Sequence, residues 1–170
     1  DEKGDIYSAD NGNNTFIMNK RDIRIPGEHN VQNYMAAISA VMGFVTAENI
    51  VKVAKTFGGV EHRIEFVREL DGVKWYNDSI ATSPTRAIAG LNSFDKKLII
   101  IAGGYDKHIP FDPFAKKAIT NIKLLILTGA TADAIESCVR KQDGFEQSGL
   151  EIVRVKDIKE AVAVARKRAK

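Results

Sequence analysis

The sequence predicts an α/β protein with a mostly parallel, doubly wound sheet and at least one antiparallel strand. After residue 59, apolar runs of strand length alternate with helical patterns, which is typical of parallel strands joined by right-handed crossovers. The runs 98–102 and 124–127 are entirely apolar, as in strands that helices cover on both faces. Two further strand patterns flank Asp71-Gly72, which predicts a hairpin and supplies the antiparallel strand.

The first 59 residues predict a hairpin followed by two helices. The turn-forming segment 10–14, D-N-G-N-N, lies between two strand patterns. Apolar residues recur at helical spacing over 31–42, and a second helix begins near Thr46 and ends at Gly58-Gly59. We expect this second helix to bury Ile50, Val53, Ala54 and Phe57. The pattern changes after Gly59, so we place a domain boundary near Gly58-Gly59. The segment before it has too little apolar material for an independent core and is expected to be the tail of a larger domain.

Strands and helices are expected to alternate from residue 60 onwards. The hairpin strands are predicted at 65–70 and 73–77. The Ser83 hydroxyl is expected to cap a helix that Pro84 begins and that runs to about residue 92. The alternation continues with predicted helices at about 112–120 and 131–141 and a strand at 151–155. A last helix is expected to bury Ile158, Ala161, Val162 and Ala165.

The composition excludes several classes of protein. Hydrophobic residues make up 44% and charged residues 28% of the 170 residues, which argues against disorder. No apolar run approaches the roughly 20 residues that span a bilayer, so we expect no membrane partner. The net charge of +3 comes from the predicted last helix, where basic residues fit a solvated face better than a nucleic-acid surface. The single cysteine, Cys138, excludes an internal disulfide and suits a cytoplasmic protein.

Polar side chains follow two of the predicted strands. Ligands of open parallel sheets bind beyond the carboxyl ends of the strands, which here carry N-D-S at 77–79 and G-G-Y-D-K-H at 103–108. Lys107 is suited to a carboxylate or a phosphate, with a solvated loop lysine as the alternative. Asp78 suits a ribose hydroxyl or a metal, or caps the following turn. The third strand end, at 128–131, predicts only a turn of small residues into a helix.

Two amides and an arginine form a second group of candidates. Asn30 and Asn33 are three residues apart, so they share one helix face and suit the edge of a base such as adenine. The alternative is that Asn30 caps the helix and Asn33 faces water. Arg63 follows the glycine-rich boundary and suits a phosphate. The three histidines lack zinc spacing, and the chain has neither G-x-G-x-x-G nor G-x-x-x-x-G-K-[ST].

Four segments in order resemble the motifs of the Mur ligase family. They are G-E-H-N-V-Q-N-Y-M-A-A at 27–37, H-R at 62–63, Y-N-D-S-I-A-T-S at 76–83 and I-A-G-G-Y-D-K at 101–107. The resemblance covers the chain from about residue 5 to its end. The N-D-S-x-A-T segment is similar to that of the members that add D-glutamate to UDP-N-acetylmuramoyl-L-alanine. The resemblance therefore implies an ATP-dependent, amide-forming ligase of peptidoglycan synthesis that works through an acyl phosphate.

The resemblance also implies roles for individual residues. It makes 1–59 the end of a central, P-loop ATP-binding domain and 60–170 a Rossmann-like C-terminal domain, with ATP bound between them. Asn30 and Asn33 then lie on the adenine side, Arg63 faces the phosphates and Asp78 faces the ribose. Thr82 and Lys107 fall where the family holds the carboxylate of D-glutamate. Ile80 stands where many members have lysine, so no role is implied there.

The resemblance further implies that essential parts lie outside these 170 residues. The P-loop, the magnesium ligands and a carbamoylated lysine would precede Asp1, and two residues of the amino-acid site would follow Lys170. We therefore expect ATP and magnesium as cofactors of a longer chain whose N-terminal and central domains are the partners of this part. We expect the main catalytic residues outside these residues, no metal ligands within them, and no ligase activity from them alone.

Three alternatives remain open. The first is a sister ligase that uses another amino acid, or a folylpolyglutamate-type enzyme on the same plan. The second is a noncatalytic nucleotide-binding or interaction module, because a fold alone does not give a function. The third is a dehydrogenase, which the missing dinucleotide fingerprint disfavours.

Overall fold

A hairpin and two helices form the first part of the computed structural model, which describes residues 1–10 and 12–169. Strands β1 (Asp5–Asp10) and β2 (Asn13–Asn19) pair antiparallel. A short 3₁₀ helix, Lys20–Asp22, leads to α1 (Glu28–Val41) and α2 (Ala47–Thr56). These elements confirm the predicted order, whereas Asn11 of the predicted turn lies outside the described residues.

One apolar cluster joins this hairpin to both helices. Its buried members are Ile6, Ile17, Met18, Ile23, Ile38, Ile50 and Ala54. The prediction for α2 is correct for Ile50 and Ala54 but wrong for Val53 and Phe57, which are 54% and 41% exposed. The last two residues line a cavity on another side of the helix instead of entering the core. Helical periodicity identifies apolar positions, but it does not distinguish a core from a cavity wall.

The second hairpin consists of β3 (Glu65–Leu70) and β4 (Val73–Asn77), which confirms the predicted turn at Asp71-Gly72. Among the described residues, these two strands form a separate antiparallel sheet and share no backbone ladder with the parallel strands. Trp75 of β4 contacts the parallel sheet, because its side chain packs against the cluster around Leu124 and Ile126. The antiparallel pair is therefore present, but side-chain packing attaches it to the parallel sheet.

The parallel sheet has the strand order β5-β6-β7. The strands are β5 (Leu98–Gly103), β6 (Ile122–Thr128) and β7 (Glu151–Arg154). The accompanying helices are α3 (Pro84–Leu91), α4 (Asp112–Asn121), α5 (Ala132–Arg140), α6 (Phe145–Ser148) and α7 (Ile158–Arg168). This alternation confirms the α/β class. The four-residue α6 was not predicted.

Strand β6 is buried on both faces. Leu125 and Leu127 pack into the cluster that contains α4 and α5, whereas Leu124 and Ile126 pack toward α7. Helix α7 meets the sheet through two alanines, Ala161 and Ala165. The predicted burial of Ile158 and Val162 is wrong, because these side chains are 62% and 43% exposed. Within the described residues, no helix combines the length and apolarity needed to cross a membrane.

Two adjacent glycines allow a test of the contact between β5 and β6. Gly103 has φ of 143°, and a Cβ there would lie 1.6 Å from the carbonyl oxygen of Thr128. Gly104 has φ of 128° but no atom within 4 Å of its would-be Cβ. Both alanine substitutions strain the backbone, so only the steric contact differs. We expect Gly103→Ala to lower the free energy of unfolding by about 1–3 kcal/mol more than Gly104→Ala.

Urea denaturation of the two variants and of the unsubstituted chain measures this difference. Equal losses for the two variants would show that the contact relaxes at no cost.

Candidate functional site

Three neighbouring cavities lie along the chain segments that contain the predicted site residues. The helix-side cavity is lined by residues of α1 and α2 and by segment 59–63. The Asp78 cavity lies between the start of α1, segment 63–64 and α3. The rim cavity is formed by the loops that follow β4, β5 and β6. Arg63 lines the first two cavities and Ala81 lines the last two, so the three cavities are adjacent and form a row.

The helix-side cavity brings three of the predicted residues together. Asn30, Asn33 and Arg63 all line its volume of about 310 Å³. Apolar residues complete most of the wall: Ile25, Pro26, Ala37, Val53, Phe57 and Val60. A flat apolar group with hydrogen-bonding edges and an attached anion matches this lining.

The two amides of this cavity differ in how free they are. Asn30 is only 7% exposed, and its Nδ2 donates to the carbonyl of Pro26 at 2.6 Å. Asn33 is exposed, and its Nδ2 donates to Oδ1 of Asn30 at 3.4 Å. Helix α1 has Gly27 as its N-cap, so the alternative in which Asn30 caps the helix is wrong. Asn30 therefore holds the amide of Asn33 in place, and Asn33 is the freer of the two to meet a ligand.

The Asp78 carboxylate is held between two parts of the chain. Its Oδ1 accepts a hydrogen bond from the backbone N–H of Ile64 at 3.1 Å. A Cβ at Gly90 would lie 2.8 Å from its Oδ2, so glycine there allows α3 to approach the carboxylate. Burial raises the pKa of Asp78, and the Ile64 hydrogen bond and the charges of Arg63 and His29 oppose this shift only in part.

Arg63 lies between two residues with left-handed backbone conformations. His62 has φ of 64° and Ile64 has φ of 45°, which is costly for a β-branched residue. Two hydrogen bonds fasten this segment to the loop after β4: Ile64 donates to Asp78, and the N–H of Ile80 donates to the carbonyl of His62 at 3.2 Å. This strained connection positions Arg63 where the helix-side and Asp78 cavities meet.

The rim cavity contains the other two predicted residues. Thr82 and Lys107 line a volume of about 280 Å³, with Gly103 and Gly104 beside them. Within the described residues, Lys107 makes no ion pair, so its ammonium is available to a ligand. Ser83 also lines this cavity, and its hydroxyl makes no capping hydrogen bond to α3. The prediction that the helix cap occupies the Ser83 hydroxyl is therefore wrong.

Sequence reasoning missed several polar residues of these cavities. His29 and Arg86 line the Asp78 cavity, and Thr131 lines the rim cavity. The available signal for Thr131 was a hydroxyl at the start of a helix that follows a buried strand. Within residues 1–9 and 12–169, the histidine, cysteine and acidic side chains form no group of three or more that could hold a metal ion.

A family comparison agrees with this arrangement of elements. Residues 62–170 match the model of the Mur ligase, glutamate ligase domain. The chain belongs to the Mur ligase family. Its Mur ligase segment thus begins at the strained connection and includes the Asp78 and Lys107 loops.

Curated relatives of this Mur ligase chain extend well beyond it. The chain is 52% identical over 166 residues to the UDP-N-acetylmuramoylalanine–D-glutamate ligase of Clostridium acetobutylicum. This match covers 98% of the chain and 35% of the relative. It is also 52% identical over 164 residues to the ligase of the same name from Acetivibrio thermocellus, covering 94% of the chain and 35% of the relative. The chain therefore spans about a third of the length of these relatives.

Solved structures of the family share the fold at low sequence identity. The UDP-N-acetylmuramate–alanine ligase MurC of Thermotoga maritima superposes with a TM-score of 0.65 and 18% identity, covering 84% of this chain and 32% of the other. MurF of Acinetobacter baumannii gives a TM-score of 0.62 and 16% identity, covering 96% of this chain and 42% of the other. These likenesses support the α/β architecture.

The raised pKa of Asp78 predicts a pH-dependent stability. Because the folded state holds this proton more tightly than the unfolded state, the contribution of Asp78 to the free energy of unfolding falls as pH rises from its usual pKa of 3.8 through the raised value. Asp78→Asn keeps an acceptor for the Ile64 N–H but cannot ionise. We expect the stability of Asp78→Asn relative to the unsubstituted chain to increase between pH 4 and pH 7.

Chemical denaturation across this pH range measures the effect. Asp95→Asn, at an exposed carboxylate, controls for the loss of one negative charge. Parallel pH profiles for the unsubstituted chain and Asp78→Asn would contradict the assignment.

Proposed function

We propose that this chain is part of an ATP-dependent ligase that joins D-glutamate to UDP-N-acetylmuramoyl-L-alanine in peptidoglycan synthesis. The observation that carries the proposal is the row of adjacent cavities, which has an amide pair and Arg63 at one end and Lys107 at the other. The relatives named as D-glutamate ligases, at 52% identity, support this amino acid over the alternatives. We infer a cytoplasmic location from the lone cysteine.

The helix-side end of the row is proposed to bind ATP. Asn33, oriented by Asn30, would meet the adenine edge, Arg63 the phosphates and Asp78 the ribose. In this proposal residues 1–59 are the end of the central ATP-binding domain, and residues 60–170 belong to the C-terminal domain. In the same proposal, the phosphate-binding loop and the magnesium ligands belong to parts of the parent enzyme outside this chain.

The chemistry proposed for the parent enzyme has two steps. A carboxylate oxygen of the precursor attacks the γ-phosphorus of ATP, and ADP leaves. The amine nitrogen of D-glutamate then attacks the carbonyl carbon of the acyl phosphate, and phosphate leaves as the amide forms. Arg63 is suited to the first step, because its fixed positive charge faces phosphate oxygens. Lys107 and Thr82 are suited to the second step, because they hold the amino-acid carboxylate so that the amine points to the reacting carbon.

Phosphate release by the full-length parent enzyme, measured with each candidate amino acid, tests the proposal. We expect turnover with D-glutamate and little with other D- or L-amino acids. Turnover with another amino acid in preference to D-glutamate would show a sister ligase. The absence of turnover with every amino acid would favour a noncatalytic module.

Lys107→Ala and Arg63→Ala are expected to separate the two steps. Losing a charge-assisted contact costs about 1.5–3 kcal/mol, so Lys107→Ala should weaken the use of D-glutamate roughly ten- to a hundred-fold and ATP use much less. Arg63→Ala should instead impair the step that consumes ATP. Lys116→Ala, at an exposed lysine of α4, is the matched control and should change neither.

Positional isotope exchange in ATP without D-glutamate distinguishes the two variants. The exchange should survive Lys107→Ala and be lost in Arg63→Ala, because only the first step is then monitored. Equal loss in both would assign Lys107 to the phosphate side of the site.

The 170-residue chain alone is expected to be inactive. It contains no G-x-x-x-x-G-K-[ST] segment to cradle the phosphates of ATP. Purified chain supplied with ATP, magnesium, precursor and D-glutamate should release no phosphate above background, with the full-length enzyme as the positive control. Amide formation by the chain alone would contradict the division into domains proposed above.

A further inference from the structure

Thr131 occupies the N-cap position of α5 without acting as a side-chain cap. An N-cap threonine usually accepts a hydrogen bond from a backbone N–H in the first helical turn. Thr131 instead has φ of −88° and ψ of 0°, a helical rather than extended conformation, and its side chain makes no capping hydrogen bond. The hydroxyl is therefore not used by the helix that it precedes.

The Thr131 hydroxyl opens onto the rim cavity. The residue is only 4% exposed and lines that cavity. Among the described residues, the side-chain polar atoms that are fully enclosed without a partner are Tyr34 OH and Trp75 Nε1. The Thr131 hydroxyl also has no hydrogen-bond partner there but is not one of the enclosed atoms, so its small accessible surface faces the cavity. A polar group in such a position is stabilised by a partner that enters the cavity.

The Thr131 hydroxyl shares the rim cavity with two further positively polarised groups. The N-terminus of the nine-residue α5 follows Thr131 directly and carries the positive end of the helix dipole. The N–H of Thr131 donates to the carbonyl of Gly104 at 3.2 Å, which ties it to the loop that carries Lys107. Lys107 lines the same cavity. A hydroxyl donor, a helix N-terminus and an ammonium group together favour an anionic ligand.

The acidic residue in the first turn of α5 does not cancel this positive potential. Asp133 forms an ion pair with Arg154 of β7, with 2.5 Å between Oδ1 and Nη2, and its side chain is 92% exposed. It lies on the solvent side of the helix, and the residues that line the rim cavity do not include it. The lining residues include no Asp or Glu, so Lys107 is left for a ligand.

We infer that Thr131 is an additional substrate-binding residue of the rim cavity, whose hydroxyl donates a hydrogen bond to a carboxylate oxygen of the acidic amino acid that Lys107 faces. The inference rests on the proposed function, because that function supplies the dicarboxylic amino acid. Apolar side chains between the polar groups, such as Ile109 and Phe111, would contact the methylene groups of that ligand. Thr131 thereby adds a neutral donor to a site whose lining cation is Lys107.

Steady-state kinetics of the full-length enzyme with Thr131→Val test the inference. Valine keeps the shape of threonine and removes the hydroxyl, so we expect the KM for D-glutamate to rise about tenfold. The KM for ATP, kcat at saturating D-glutamate and isotope exchange in ATP should stay within about twofold. Thr131→Ser retains the hydroxyl and should restore the KM for D-glutamate.

Thr120→Val is the matched control. Thr120 is exposed and lies just before β6 begins, at the opposite edge of the sheet from Thr131, so its loss should leave every constant unchanged. An unchanged KM for D-glutamate in Thr131→Val would overturn the inference. A parallel rise in the KM for ATP with loss of isotope exchange would also overturn it, because the hydroxyl would then serve the phosphate side.

Two further measurements keep the result decisive. If Thr131→Val does not fold, as judged by its thermal unfolding, Thr131→Ala removes the same hydroxyl with less bulk and must give the same rise in KM. Stabilisation of the enzyme by D-glutamate, measured as a shift in Tm, should be smaller in the variant than in the unsubstituted enzyme.

If the unsubstituted enzyme uses another amino acid, the proposed function fails. The Thr131 comparison is then made with that amino acid, and an unchanged KM overturns this inference as well.

Discussion

The burial of β6 on both faces is the constraint from which the candidate site follows. Its side chains alternate between the layer of α4 and α5 and the layer of α7, so neither face can be turned to solvent without losing a core. β5 and β7 pair on either side of it, parallel to it, and their carboxyl ends share one edge with the end of β6. Gly103 and Thr131 adjoin these ends, which is why a loop lysine and a buried threonine hydroxyl line one cavity.

A second constraint joins this edge to the first part of the chain. The segment around Arg63 has two left-handed non-glycine residues, and a conformation of this kind persists only where the surroundings fix it. Hydrogen bonds from Ile64 to Asp78 and from Ile80 to His62 provide that fixation. The partial burial of Asp78 is unfavourable for a carboxylate, yet the same carboxylate accepts the hydrogen bond that holds Arg63 between two cavities. Local strain and a partly buried carboxylate are thus coupled to the placement of the Arg63 guanidinium.

The sequence predicted the elements well because strands and helices differ in period, and each apolar run has the length of its element. It predicted individual burial less well. Four apolar residues match the helical period but are exposed: Val53, Phe57, Ile158 and Val162. The buried positions of the two helices are taken by Ile50 and Ala54 and by Ala161 and Ala165 instead. The resemblance to known motifs singled out Asn30, Asn33, Arg63, Asp78, Thr82 and Lys107, and these residues line one row of cavities. It could not reveal that the side-chain amide of Asn30 donates to the carbonyl of Pro26, or that the Thr131 hydroxyl does not cap α5. Both depend on backbone geometry.

The distribution of charge along the row supports two separate anion-attracting regions. The Asp78 cavity is lined by two cations, Arg63 and Arg86, and by one carboxylate, that of Asp78, whose pKa is raised by burial. Ile80 lines the same cavity and adds no charge. Lys107 is the lining cation of the rim cavity, and Ala81 is the residue that both cavities share. Two guanidinium groups suit a ligand with several negative oxygens, because they are always charged and bind such oxygens in pairs. One ammonium group with nearby hydroxyls suits a single carboxylate. A small apolar residue between the two regions leaves room for two ligands to approach each other closely, which the proposed transfer from an acyl phosphate to an amine requires.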